Sequence, residues 1–97
     1  MVVHIVMIKL KDEHKSSKTL ERMRREIEDL VSKVPSLKSM ETGINFSDEG
    51  RAMDFVLISK FDDRAGLEEY AKDPEHLKVI EFIKSVASYS KVVDYEV

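Results

Sequence analysis

Tyr70 and His76 stand six residues apart, and an Asp73-Pro74 pair lies between them. Asp73-Pro74-Glu75-His76 reads as the start of a helix. Asp73 is the capping residue, Pro74 takes the first helical position and Glu75 falls in the first turn. His76 then occupies the third position, where its backbone N–H is one of the unpaired donors of a helix start. The positive end of the helix dipole disfavours an imidazolium there, so a neutral ring able to take a proton is expected. Tyr70 ends the preceding helix and is close enough in sequence to meet His76 across the break. Its phenol can donate to an oxyanion. His4 lies in the apolar run "MVVHIVMIKL" and so needs either a hydrogen-bond partner or a ligand. The plainer alternative is structural, with one histidine bonded to a carbonyl and the other capping a helix.

Other chemistries find little support. The chain has no cysteine, so disulfides, a thiolate nucleophile and a thiolate metal site are all excluded. Its three histidines are well separated, with no H-x-x-x-H spacing, and no metal site is expected. Three glycines form neither a phosphate cradle nor a dinucleotide fingerprint, and no cofactor is expected. The five methionines suit core filling. Net charge is −3, and the basic residues are interleaved with acids, as in "ERMRREIEDL". That mixture lacks the one-sign stripe of a nucleic-acid binder. No apolar run approaches the roughly 20 residues of a spanning helix, and the start lacks a basic leader with a cleavage site. A cytoplasmic protein with no membrane partner is the expectation.

Ninety-seven residues make a single domain over 1–97. With 42% hydrophobic and 36% charged residues, the composition is that of an ordinary globular chain. Residues 2–10 read as a strand. Ser16 or Ser17 can cap a helix whose stripe runs Leu20, Met23, Ile27, Leu30, Val31 and Val34, and Pro35 stops it. Residues 37–46 and 52–61 read as two strands joined by the turn-rich "NFSDEGR". Asp62 or Asp63 caps a short helix through Tyr70 and Ala71, and the helix after Asp73 turns Val79, Ile80, Ile83 and Val86 inward. "KVVDYEV" closes the chain as a fourth strand. The order βαββαβ predicts an α+β, ferredoxin-like fold, with a four-stranded antiparallel sheet and both helical elements on one face.

The uncovered face of such a sheet should be polar. Here two strands are apolar on both faces. Val3, Ile5 and Met7 oppose Val2, Val6, Ile8 and Leu10; Ala52, Val56 and Ile58 oppose Met53, Phe55, Leu57 and Phe61. A patch of that size exceeds what soluble monomers usually expose. At about 25 cal/mol per Å², burying about 500 Å² of it favours association by about 12 kcal/mol before association costs. A second copy packed sheet to sheet as a two-fold homodimer is the expected cover.

Four segments carry a resemblance: "HIVMIKLKD", "GINFSDEGRAMDFVLISKF", "LEEYAKDPEHLKVIEFI" and "VVDYEV". Together they resemble the stress-responsive A/B barrel (Dabb) family across essentially the whole chain. The resemblance implies two sheets pairing into a dimeric α/β barrel. It also implies a cavity between sheet and helices, which in the family's plant polyketide cyclases serves an aldol-type ring closure without cofactor. Their base falls on His76, their tyrosine on Tyr70 and their first-strand histidine on His4. Their third-strand histidine falls on Phe55, which enters the expected ligand-binding set with His4, Tyr70 and His76. Asp73 replaces a further histidine of the pattern. Three functions follow. The first is a module binding a small apolar or carbonyl-containing molecule. The second is a cyclase-like enzyme with His76 as base and Tyr70 as oxyanion donor. The third is a purely structural dimer.

Overall fold

The computed structural model describes residues 1–97. The chain runs β1 (Val2–Leu10), α1 (Ser17–Glu28), β2 (Ser39–Ile44), β3 (Phe55–Phe61), α2 (Arg64–Lys72), α3 (Pro74–Val86) and β4 (Ala87–Glu96). The strands form one antiparallel sheet in the order β2-β3-β1-β4. This is the ferredoxin-like α+β arrangement that the sequence predicts.

Register decides which side chains share a face. Val2, His4, Val6 and Ile8 stand opposite Phe61, Ser59, Leu57 and Phe55, all on the helix-covered side. Across the other edge of β1, His4 faces Asp94 and Val6 faces Val92. Helix-side residues of β1 and β3 join Met23 and Ile27 of α1, Leu30 and Val34 just beyond it, Tyr70 of α2, and Val79 and Val86 of α3 in one core. The opposite face carries Ile5, Met7, Val56, Ile58 and Val93, with Glu41, Lys60 and Lys91 around them. No helix covers this side.

Local chemistry explains the boundaries. Ser16 caps α1 by accepting from the Thr19 N–H at 3.2 Å, and Asp63 caps α2 through the Gly66 N–H at 2.8 Å. The α-helical part of the first helix ends at Glu28, earlier than the proline alone implies, and continues as a 3₁₀ turn over Asp29–Ser32. That tighter winding, about 3.0 residues per turn, keeps Leu30 inward and rotates Val31 out to solvent. β3 starts at Phe55 rather than at residue 52. Asp54 turns its buried carboxylate back to accept the Leu10 N–H at 2.8 Å, so the chain before it cannot join the ladder. β4 is longer than "KVVDYEV" suggests, beginning at Ala87 directly from the last turn of α3.

Candidate functional site

The site is built from two strands and the junction of two helices. α2 ends at Lys72, and Asp73 joins it to α3 in an extended conformation. The Asp73 carboxylate accepts the Glu75 N–H at 2.8 Å, and Pro74 opens α3. This junction folds the last turn of α2 against the first turn of α3. The rings of Tyr70 and His76 consequently lie face to face, with centroids 3.9 Å apart and planes inclined by 32°. Tyr70 is only 2% exposed, and its other neighbours are Phe61, with centroids 5.1 Å apart, and the edge of His4 at 6.4 Å. His4 projects from the helix-covered face of β1, and its Nδ1 bonds to the Asp94 carboxylate on β4.

These three rings line a cavity of about 550 Å³ between the sheet and α3. Its walls are otherwise mostly apolar, with Val6 and Leu57 from the sheet, Ile27 and Leu30 from the first helix and Val79, Ile80 and Ile83 from α3. Lys84, Ser90 and Val92 also border it. A mostly apolar cavity with a few convergent polar groups, in the range of about 300–1,000 Å³, is the usual form of a small-molecule site.

Burial sets the protonation of the two central groups. The Tyr70 phenol is pushed far above its ordinary value because burial penalises phenolate, so it stays protonated and can donate. His76 is held below the usual histidine value, chiefly by burial. The backbone of Ala71 and Tyr70 and the Asp73 carboxylate oppose this, and His4 adds to it. Despite that nearby backbone, His76 Nδ1 is sealed from solvent with no hydrogen-bond partner. A neutral imidazole beside a protonated phenol can take a proton at one point while an oxygen is held at the other.

Of the residues expected from sequence, His4, Tyr70 and His76 come together. Phe55 does not join them. It is 1% exposed in the core, and it borders a separate depression on the open-face side with Met7, Met53 and Val56. Its β-strand neighbour Leu57, two residues along the same face, takes the wall position instead. The Asp94 partner of His4 is not legible as such in sequence. Its only local signal is an acid inside the apolar terminal run, and its pairing with His4 emerges from the β1–β4 register.

The sheet order and the helices on one face define a ferredoxin-like α+β protein, and solved structures of that class superpose closely. One is an Arabidopsis thaliana protein, At3g17210, 21% identical with a TM-score of 0.89, covering 100% of this chain and 95% of that one. A dimeric protein of unknown function from Bacteroides fragilis is 30% identical with a TM-score of 0.85, covering 99% and 95%. A hydroxynitrile lyase from Passiflora edulis is 19% identical with a TM-score of 0.86, covering 99% and 92%. No curated protein sequence matches the chain. The family model described as Stress responsive A/B Barrel Domain matches residues 2–97, and the chain belongs to that family.

Proposed function

We propose that this protein binds a small, largely apolar carbonyl compound in the cavity between the sheet and α3. The observation carrying this reading is the convergence of His4, Tyr70 and His76 on one cavity of about 550 Å³ with otherwise mostly apolar walls. The apolar body of a ligand would bury against Ile80, Ile83 and Val79, while its carbonyl oxygen accepts from the Tyr70 phenol. Titration calorimetry with small phenolic and β-keto compounds tests it. Binding that weakens about fivefold to tenfold in Tyr70→Phe supports the reading, since one hydrogen bond is lost and the ring is kept. Affinity unchanged in both Tyr70→Phe and His76→Ala would leave only the structural role.

A second reading, catalysis, is favoured by the pairing of a neutral His76 with a protonated Tyr70. His76 would take a proton from the carbon next to a carbonyl. The C–H electron pair then forms an enolate whose oxygen Tyr70 holds. The enolate carbon attacks a second carbonyl carbon, and the alkoxide formed there takes the proton back from His76, without a cofactor. The lyase from Passiflora edulis shares the fold at 19% identity and supplies no residue correspondence. Turnover abolished in His76→Ala, with ligand affinity kept, separates catalysis from binding.

The assembly fits a homodimer built through the open sheet face. Support comes from the apolar residues Ile5, Met7, Val56, Ile58 and Val93 on that face. It comes also from the dimeric state of structural neighbours, such as the protein from Bacteroides fragilis. Phe46, 98% exposed in the loop after β2, borders the same side and is a natural anchor for a second copy.

A further inference from the structure

Asp94 has no place in the roles assigned above. It sits directly across from His4 in the β1–β4 ladder, and its carboxylate reaches His4 Nδ1. An ionised carboxylate only accepts, so the shared proton belongs to Nδ1. An uncharged imidazole carries one N–H, which leaves Nε2 as a bare acceptor. The ring is also fixed in orientation. Its backbone lies in β1, which pairs with β3 on one side and β4 on the other, and Ser59, buried next to it on β3, donates its hydroxyl to the His4 carbonyl at 3.3 Å. His4 and Tyr70 border the same cavity and stand edge to face at 6.4 Å.

We infer that Asp94 is a positioning residue that locks His4 in the Nδ1–H form, so that Nε2 accepts a hydrogen bond from a ligand hydroxyl. This rests on the binding function proposed above and narrows its ligand class. Tyr70 offers a proton to a carbonyl oxygen; His4 asks for one from a hydroxyl a few ångströms away. The molecule that satisfies both carries a hydroxyl and a carbonyl on one short apolar frame, as an enolised β-diketone or a hydroxy ketone does. A plain ketone would leave the His4 acceptor unpaired in a largely apolar cavity, at a cost in affinity.

The test has two arms on the full chain. Long-range proton–nitrogen NMR of the imidazoles reads the tautomer in the ligand-free protein. The expected result is His4 protonated at Nδ1 and bare at Nε2, with Asp94→Ala redistributing the proton between the nitrogens. Calorimetry then compares enolised benzoylacetone with its O-methyl enol ether, which keeps the carbonyl and loses the hydroxyl proton. The wild type should prefer the enol by about fivefold to tenfold, and Asp94→Ala should lose that preference. A proton on Nε2 in the wild type overturns the inference whatever binds. Equal binding of enol and ether also overturns it, while leaving the cavity's ligand role intact. Failure of both compounds to bind removes the proposed function and the hydroxy-carbonyl class with it.

Discussion

Burial beside Tyr70 favours the neutral form of His76, and that preference has a cost that pH can reveal. In the unfolded chain an exposed histidine takes up a proton near pH 6.5. In the fold, burial holds the His76 value lower, although Asp73 and the backbone of Ala71 and Tyr70 oppose the shift. Below about pH 6.5 the unfolded state therefore binds the proton first, and stability falls with falling pH until the folded ring is protonated too. Urea midpoints measured at about pH 7.5 and about pH 5.5 should show this loss, and His76→Gln should show less of it. An equal loss in the variant would place its origin elsewhere. Tyr70 and His76 are legible in the sequence because six residues and one helix cap fix their meeting. Asp94 is not, since 90 positions separate it from His4 and only strand pairing joins them.

At the scale of elements, the junction at Asp73 does two things at once. Its side chain caps α3, and its extended backbone turns the chain so that α2 and α3 present their rings to each other. Asp73→Ala should cost about 1 kcal/mol and lower Tm by about 4–8 °C. It should also weaken ligand binding, because the His76 ring loses its fixed entry angle. Thermal melts and the same calorimetric titration check both effects, and a normal Tm with normal binding would show that Pro74 alone sets the junction. Boundaries were less legible than the elements themselves. Val31 fits the apolar stripe at α-helical spacing and leaves it once the helix tightens into a 3₁₀ turn. The β3 start depends on where Asp54 sends its carboxylate, which is a tertiary matter.

For the whole molecule, the decisive feature is a sheet with helices on one side and large apolar side chains on the other. Ile58 sits near the middle of the uncovered face, paired with Ile5 across the ladder. Ile58→Lys places a charge there, and burying it against a second copy would be costly. Sedimentation at micromolar concentration should show wild-type dimers and a monomeric or much weaker-associating variant, with circular dichroism confirming that the fold is kept. A wild type that sediments as a single subunit would contradict the assembly. Phe46→Ser should weaken association in the same assay, by less than the buried charge does.

The sequence by itself determined the element order, the ferredoxin-like sheet, the double-sided greasiness of β1 and β3, and the capped junction that carries Tyr70 and His76. Each of these is written in neighbouring residues, through periodicities of two and 3.6 and through caps. The tertiary structure alone decided that β4 lies against β1 and so hands Asp94 to His4. It also decided that Leu57 rather than Phe55 meets the cavity, and that the space under α3 is large enough to hold a molecule. Those outcomes depend on register and on the volume left between packed layers, and neither is encoded in any short stretch of chain.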